Sequence, residues 1–413
     1  MGSDGGEAGG GGALHGLRIA DFSRVLAGPY ATMLLADLGA EVIKVERPGT
    51  GDETRQWRPP ADEQGTSTYF LGVNRNKRSV TLDLASEADR ERARALIAGS
   101  DVLVENFRPG TMERLGLGHA ELRDRHPRLV YCSISGFGTG GGAALPGYDL
   151  LVQAVGGLMS VTGEPGGEPV KTGVALVDVI TGLHAALGIM AALRHRDATG
   201  EGQLVEVSLL GSLLSAMVNQ ASGYAVAGVV PGRMGNAHPS IAPYETFPTA
   251  DRPLALAVGN DTQFAALAAA LGVPRLAADD RFRTNPGRVA HRAELAGLLG
   301  ERLRSAGADH WSGVLLAAGV PAGPVNTLDE AFSFAHRLGL PGIVTVPDPS
   351  EAEAEARTGA GPSALRKSSR QVAHPIALSA SPARYRLPPP ALGEHTEEIL
   401  GRPDFGDHSD QAP

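Results

Sequence analysis

The sequence predicts an α/β protein of two domains, the larger of which contains a mostly parallel β-sheet. With 413 residues, 42% of them hydrophobic and 20% charged, the chain can bury a sizeable core and form more than one domain. Strand-like and helix-like segments alternate through residues 17–134, which is the pattern of parallel strands joined by helices. The pattern changes near Gly200, after which a smaller second domain is expected.

The first predicted unit, after a glycine-rich tail, is a βαβ motif. Residues 17–22 and 41–46 have the apolar pattern of strands, and the small and apolar residues 27–38 predict the helix between them. Pro29 suits the first turn of that helix, where its missing amide costs nothing. The turn at residues 24–29 lacks the G-x-G-x-x-G spacing of a dinucleotide fingerprint, which counts against an enzyme that uses NAD or FAD.

The alternation of strands and helices continues beyond this motif. The further segments are predicted strands at residues 79–84, 101–105, 129–134 and 204–208, and predicted helices at residues 87–98 and 209–227. Ligands of parallel sheets bind beyond the carboxyl ends of the strands. The residues that follow each predicted strand are therefore the first candidates for a functional site.

We expect the chain to divide into five parts. These are a flexible tail at residues 1–13, the large α/β domain at 14–208, a linker helix at 209–228, a small domain at 229–328, and a return segment at 329–413 that completes the large domain. The small domain should contain a strand at residues 254–258 and helices at 263–271 and 290–306. In the return segment, residues 347–371 predict a mobile surface loop and residues 396–400 a short helix.

Charge and cysteine content exclude several classes of function. A formal net charge of -9 gives no general attraction to nucleic acid or to anionic membranes. Cys132 is the only cysteine, so neither an internal disulfide nor a multi-thiolate zinc motif is expected, and a reducing cytoplasm fits best. The first residues have no signal-peptide pattern, and we find no apolar stretch of the ~20 residues that span a membrane. A cytoplasmic protein without a metal site is expected.

Asp178 interrupts an apolar run at residues 174–180, which is physically unusual. Burying an unpaired charge costs several kcal/mol of folding free energy and is normally avoided. One interpretation is a helix N-cap, in which the carboxylate accepts hydrogen bonds from the first free amides of the helix that follows. The other is a nucleophile, placed where a strand gives way to a helix and able to form a covalent acyl intermediate. The two interpretations are geometrically compatible, and the local sequence leaves both open.

Five segments follow one another along the chain in a distinctive order. They are residues 21–29 (DFSRVLAGP), 37–46 (DLGAEVIKVE), 74–79 (NRNKRS), 104–110 (VENFRPG) and 147–183. Together they resemble the class III coenzyme A transferases, the family that includes formyl-CoA transferase, the carnitine-CoA transferases and the α-methylacyl-CoA racemases. Each motif is modest alone, but their order is specific to the family, and the resemblance covers residues 14–400.

The resemblance implies a fold, a partner and a set of site residues. The fold would be a Rossmann-like large domain plus a smaller α/β domain, and two subunits would interlock like the links of a chain into a homodimer. The catalytic aspartate of the family falls on Asp178, with the N-cap geometry as its structural support. Coenzyme A, the thioester substrate rather than a permanently bound cofactor, would lie against Val25, Leu26, Arg47, Lys77, Asn106, Phe107 and Arg114.

The implied reaction moves CoA from an acyl-CoA donor to a carboxylic acid through anhydride and thioester intermediates on Asp178. Two alternatives stay open, a racemase and a non-catalytic CoA-binding protein. The racemase branch has a histidine where this chain has Tyr148, and a phenol with a reference pKa near ~10 is a poor base at neutral pH, which favours transfer. Formyl-CoA transferase covers its intermediate with a run of glycines, whereas residues 235–240 (GNAHPS) have too few for the same lid.

Among the transferases, the succinyl-CoA:glutarate group is the most similar, which suggests succinyl-CoA as donor and a dicarboxylate such as glutarate as acceptor. A dicarboxylate needs a cation for its distal carboxylate, and an arginine can bind it through two hydrogen bonds. Arg55 is one such arginine. The other candidates for contact with the substrate are Arg24, Arg75, Tyr148, Arg233 and His238.

Overall fold

The computed structural model describes residues 12–347 and 369–401. These residues form two compact units. The first unit comprises the described parts of residues 1–156, 173–221 and 341–413, and the second comprises residues 157–172 and 222–340. This division into two compact units does not test the predicted limits of the five parts of the chain, which remain predictions.

The first unit contains a six-stranded, fully parallel sheet in the order β3-β2-β1-β4-β5-β6. Its strands are β1 (Arg18–Asp21), β2 (Glu41–Glu46), β3 (Lys77–Thr81), β4 (Val102–Glu105), β5 (Val130–Ser135) and β6 (Leu204–Ser208). The prediction of a mixed α/β fold with a parallel sheet is confirmed. This strand order is the doubly wound one, in which ligands bind at the carboxyl edge where the order reverses, here between β1 and β4.

Helices connect the parallel strands of the first unit. They are α1 (Ala27–Asp37), α2 (Thr68–Leu71), α3 (Glu87–Ala98), α4 (Thr111–Arg114), α5 (His119–Arg125) and α6 (Asp149–Val155), with a 3-10 helix at Glu53–Gln56. In the second unit, α7 spans Leu158–Val161. The first unit continues with α8 (Leu176–Thr199) and α9 (Leu209–Ala216), and α10 (Val218–Ala227) begins in the first unit and ends in the second. The predicted single helix at 209–227 is thus interrupted at Met217, where Val218 takes a positive φ of 24° that an α-helix does not tolerate.

Helix α8 corrects the expectation that a strand gives way to a helix at Asp178. The apolar run at residues 174–180 contains β-branched residues, which favour strands, but the segment is already helical from Leu176 because it packs along α1. Gly182 permits this packing, since a Cβ atom there would lie 2.6 Å from the Ala27 carbonyl oxygen. Helix α8 has 24 residues, and an 18-residue window of it has a mean hydropathy of 1.9, so it is long and apolar enough to cross a membrane. This corrects the expectation that no apolar stretch of the chain reaches that length. The absence of membrane insertion stays a prediction, although packing on α1 and β5 is typical of a core helix.

The second unit has a core of its own around a three-stranded antiparallel sheet, β7-β8-β9. Its strands are β7 (Tyr244–Phe247), β8 (Leu254–Ala257) and β9 (Ala322–Pro324). Its remaining helices are α11 (Asp261–Ala270), α12 (Arg275–Ala278), α13 (Asn285–Ala290), α14 (Arg292–Leu303), α15 (Ala308–Ala317) and α16 (Leu328–Arg337).

The last described segments belong to the first unit. Strand β10 (Ile343–Val346) pairs antiparallel with β11 (Ser369–Val372). The predicted loop at 347–371 is therefore wrong for its last three residues, while 348–368 lie outside the described residues. The predicted helix at the carboxyl end is confirmed as α17 (Thr396–Leu400). It lies at the β3 edge of the large sheet, where the Thr81 amide donates to the Thr396 hydroxyl.

Candidate active site

Asp178 lies in the first turn of α8, three residues after the N-cap position at Ala175. It does not cap the helix. The cap is supplied by Asp149, whose Oδ2 accepts hydrogen bonds from the backbone amides of Val177, at 2.8 Å, and of Asp178, at 3.1 Å. The predicted N-cap role of Asp178 is therefore wrong, and the side chain of Asp178 is left free for another function.

The environment of Asp178 favours the protonated form of its carboxyl group. The side chain is half-buried, and it makes no ion pair within residues 12–347 and 369–401. Burial, and next the neighbouring Asp149 carboxylate, raise its pKa to about 7. A carboxyl group that titrates near neutrality without a cationic partner is a physical mark of a functional site.

Tyr69 on α2 is a neighbour of this carboxylate pair that the sequence analysis missed. Burial, and after it the charges of Asp178 and Asp149, raise the pKa of its phenol to about 12, so the hydroxyl keeps its proton. The Tyr69 ring meets the Trp57 ring edge to face at 5.2 Å. A lone tyrosine in a short helix has no spacing or motif that marks it, so only the fold could have found it.

Apolar side chains form one wall of the site. Val25 and Leu26 belong to one hydrophobic cluster with Tyr69, with Ala175 at the N-cap of α8 and with Val179, which follows Asp178 directly. The predicted CoA-binding pair Val25 and Leu26 is thus close to the candidate nucleophile. Such a wall excludes water, which a reactive acyl intermediate requires.

The loop that precedes α1, residues 24–26, is fixed from two sides; we refer to it as the Arg24 loop. Asn106 holds both backbone groups of Arg24, accepting from its amide at 2.9 Å and donating to its carbonyl at 2.7 Å. The Arg24 guanidinium lies 5.0 Å from the centre of the Phe107 ring. Val25 has a left-handed φ of 68°, and its amide donates to Asp52. The structure therefore brings together four predicted site residues at the carboxyl edge of the sheet.

Two predicted ligand-binding cations have structural roles instead. Lys77 is fully buried, and its ammonium group donates to Asp21, to the Pro29 carbonyl and to Asn74 at 2.9 to 3.1 Å. Because an ammonium group has three donors, none remains for a phosphate. Arg75 is 2% exposed and binds Asp37 through Nε and Nη2. These contacts argue against the predicted roles of Lys77 and Arg75 in binding CoA and substrate.

The remaining predicted site residues keep their roles as predictions. Arg47, Arg114 and Tyr148 are exposed in the first unit, and Tyr148 immediately precedes Asp149. In the second unit, Arg233 donates to the Gly167 carbonyl at 2.7 Å, and His238 Nδ1 accepts from the Ser240 amide. Among the described residues, no three metal-ligating side chains gather at one place.

The doubly wound sheet and the unpaired carboxylate near the Arg24 loop are typical of an α/β enzyme that works at the carboxyl edge of its sheet. The chain belongs to CoA-transferase family III, whose family model matches residues 14–396. The resemblance found in the sequence is confirmed, and the protein is a CoA-transferase.

Relatives and solved structures agree with this assignment. The succinate–glutarate CoA-transferase of Agrobacterium fabrum is 42% identical over 394 residues, which cover 94% of each chain. The acetyl-CoA:oxalate CoA-transferase of Acetobacter aceti is 42% identical over 322 residues, covering 78% of this chain and 82% of the relative. A crystal structure of a CaiB/BaiF family protein from Brucella suis superposes with a TM-score of 0.81 at 40% identity, covering 95% of this chain and 99% of that one.

Proposed function

We propose that the protein transfers CoA from an acyl-CoA donor such as succinyl-CoA to a carboxylic acid, with Asp178 as the nucleophile. The observation that carries this proposal is a half-buried carboxylate with no cationic partner among the described residues. A carboxylate relieved of ion pairing and partly removed from water is more nucleophilic, because less solvation is lost on attack.

The first half of the reaction exchanges CoA between donor and enzyme. A carboxylate oxygen of Asp178 attacks the thioester carbon, the C–S bond breaks, and CoA leaves as a thiolate, which gives a mixed anhydride. The thiolate then attacks the Asp178 carboxyl carbon, releasing the donor acid as its carboxylate and leaving a thioester between Asp178 and CoA. Each step conserves charge, so no external oxidant, reductant or acid is needed.

The second half repeats these steps with the acceptor. The acceptor carboxylate attacks the aspartyl thioester, thiolate leaves, and a second anhydride forms. The thiolate then attacks the acyl carbon of the acceptor, which releases acyl-CoA and regenerates the Asp178 carboxylate. Each addition places negative charge on a carbonyl oxygen, and we assign the stabilisation of that charge to the protonated Tyr69 hydroxyl, whose pKa is raised by the charge of Asp178.

A dicarboxylate acceptor is supported by the arginines that remain available. Arg55 is engaged by Glu46, by the Pro390 carbonyl and by the Phe70 ring, and Arg75 by Asp37. Arg24 has one exposed partner, Glu53, and its side chain is 40% exposed. Of the first unit's candidates, Arg24 can therefore exchange its partner for the distal carboxylate of a diacid at the smallest cost.

We further propose the interlocked homodimer and a cytoplasmic location. Leu183, Leu187 and Met190 form an exposed apolar stripe along α8, with Leu187 69% exposed. A stripe of this kind at helical spacing is typical of a surface that another chain covers. The single cysteine, Cys132, is buried and free, as suits a reducing compartment. Light scattering of the purified protein, repeated after dilution, tests for a dimer that does not dissociate.

The experiment that tests the reaction has a product arm and a trapping arm. Purified protein is incubated with succinyl-CoA and, separately, with glutarate, oxalate, mesaconate and acetate, and the acyl-CoA products are identified by mass spectrometry. During turnover, hydroxylamine is added and the peptides are mapped, with a hydroxamate expected on Asp178. A separate incubation with one epimer of a 2-methylacyl-CoA, analysed by chiral chromatography, tests the racemase, which epimerisation without acyl exchange would favour. CoA binding without either product would favour a non-catalytic protein, and turnover without a label on Asp178 would reject the nucleophile.

A further inference from the structure

Glu105 is a buried carboxyl group at the carboxyl end of β4 that no step of the proposed reaction uses. It is 5% exposed. The Phe107 amide donates to its Oε2 at 2.8 Å, and the Ser133 side chain shares a hydrogen bond with it. The charged group that acts on it is the Glu113 carboxylate of α4, which repels it. A buried carboxyl group without a cation is costly to keep and calls for a function.

The turn that Glu105 holds is the one that fixes the Arg24 loop. Asn106 binds both backbone groups of Arg24, and the Phe107 ring lies under the Arg24 guanidinium. The hydrogen bond from the Phe107 amide to Glu105 fixes the direction that the backbone of Asn106 and Phe107 takes after strand β4. A change at Glu105 would therefore alter the Arg24 loop indirectly, through the backbone and the side chains of Asn106 and Phe107.

We propose that Glu105 is a positioning residue for the acyl-CoA site, which it shapes through Asn106 and Phe107 in the protonated form of its carboxyl group. The inference rests on the proposed function, in which the Arg24 loop and its neighbours bind the CoA thioester. Glu105 touches neither substrate nor reacting atoms, and it acts through the residues that follow it in the chain.

The neutral carboxyl group suits this place better than the carboxylate does. Its carbonyl oxygen accepts from the Phe107 amide while its O–H donates to the Ser133 hydroxyl, so both hydrogen bonds survive. The ionised form adds a buried charge beside Glu113 and near an anionic ligand. From β5, Tyr131 and Cys132 face it, and burial and Glu105 raise the pKa of each, so both stay neutral. Burial raises the pKa of Glu105 itself to about 7.

The test measures CoA binding to the full-length protein by calorimetry between about pH 6 and pH 8.5. Every protein compared, the one with the wild-type residue at Glu105 included, carries Asp178→Asn, because Asp178 ionises near pH 7 and would add its own pH dependence to the binding of an anion. The variants are Glu105→Ala, which removes the acceptor, and Glu105→Gln, which keeps the acceptor and a donor but never ionises. Glu121→Gln on the surface of α5 is the matched control. Thermal melting verifies that each variant is folded.

We expect the wild-type affinity for CoA to fall several-fold from about pH 6 to pH 8.5, as Glu105 ionises. Glu105→Gln should bind like the wild type at low pH and keep that affinity at high pH, whereas Glu105→Ala should bind about tenfold more weakly at low pH. Glu121→Gln should follow the wild type throughout.

Two results would overturn the inference. One is a Glu105→Gln protein whose affinity falls with pH as steeply as that of the wild type, and the other is a folded Glu105→Ala protein that binds CoA normally. If Glu105→Ala does not fold, the Gln variant alone decides. A wild-type protein that binds no CoA under any condition would instead reject the proposed function on which the inference rests.

Discussion

Asp21 and Asp52 lie in the first unit beside two buried lysines, whereas Asp149 and Asp178, in the same unit, have no cation paired with them among the described residues. Lys44 contacts Asp52 at 2.9 Å, and Lys77 contacts Asp21 at 3.1 Å, with all four side chains fully buried. Burial alone would raise the pKa of Asp21, but Lys77 and Lys44, together with hydrogen bonds from Ser23 and Thr32, lower the pKa below its ordinary value. For Asp178, burial and Asp149 act in the same direction and raise it.

The difference separates structural charge from reactive charge. In the lysine network Lys77 uses all three of its donors, and Lys44 contacts the Ser23 carbonyl and Asp52, so the carboxylates are stable anions that hold β1, β2 and β3 together. In the aspartate pair, the Asp149 carboxylate accepts hydrogen bonds from the first backbone amides of α8, and the Asp178 carboxylate has no cationic partner among the described residues. A buried carboxylate that is paired with a cation favours one fixed fold, whereas a buried carboxylate without a cationic partner favours a role in a chemical reaction.

The largest effect should come from removing the unpaired carboxylate. We expect Asp178→Asn to reduce kcat for CoA transfer by about a thousandfold or more, because an amide forms neither the anhydride nor the thioester. CoA binding, measured by calorimetry, should persist. Asp124→Asn, on the exposed surface of α5, is the control and should leave kcat unchanged. Transfer by Asp178→Asn within about tenfold of the wild type would remove Asp178 from the reaction.

Breaking the paired network should instead destabilise the folded protein. Lys77→Met leaves Asp21 without the ammonium and frees Asn74 and the Pro29 carbonyl, and the cost of such a buried break is about 3 to 5 kcal/mol. Urea denaturation measures it. The matched surface variant, Arg92→Met, breaks an exposed pair with Asp89 and should cost less than about 1 kcal/mol. Equal costs for the two variants would contradict the distinction between the regions.

The third prediction concerns the repulsion within the aspartate pair. Asp149→Asn removes the second cause of the raised pKa of Asp178 while its amide oxygen still accepts from the helix amides. The acid limb of kcat/KM, expected near pH 7 in the wild type, should move down by roughly half a unit to one unit, because burial, the first cause, remains. Asp149→Ala, which also removes the cap, should show the same shift with a lower kcat. An unmoved limb in both variants would exclude Asp149 as a cause.

The parallel sheet was predictable because each of its strands is a short apolar run at a regular distance from a helix. Strands β2 and β6 and helix α3 have the bounds expected from their sequences. The failures are informative. The run of Val and Ile at residues 174–180 is helical, because packing along α1 and the cap from Asp149 outweigh its local β preference.

The candidate site was predictable where it depends on local motifs and not where it depends on distant contacts. Arg24, Val25, Asn106 and Phe107 meet because two parallel strands end side by side, which the sequence indicates. The burial of Lys77 and the approach of Tyr69 to Asp178 depend on packing between segments far apart in the chain. In a sequence, a lysine or arginine near the end of a strand is equally consistent with a phosphate-binding residue and with one side of a buried ion pair.

The smallest expected effect is on stability, and it tests the cost of leaving Asp178 unpaired. In the folded protein its pKa, about 7, lies above the ordinary value of 3.8 that applies to the unfolded chain. The native state therefore holds a proton that the unfolded chain has lost, and stability falls as pH rises between these two values.

Asp178→Asn cannot lose a proton at this position. Relative to the wild type, it should gain stability from about pH 4 to pH 7 and gain no more above pH 7. The gain should reach about 1 to 2 kcal/mol, less than the roughly 4 kcal/mol that the full difference between the two pKa values would give, because a half-buried group keeps part of its contact with water. Urea denaturation at about pH 5 and pH 8 measures the gain, with Asp124→Asn as the control. An equal gain at both pH values would mean that the carboxyl group of Asp178 titrates normally, which would contradict the contrast with the lysine network.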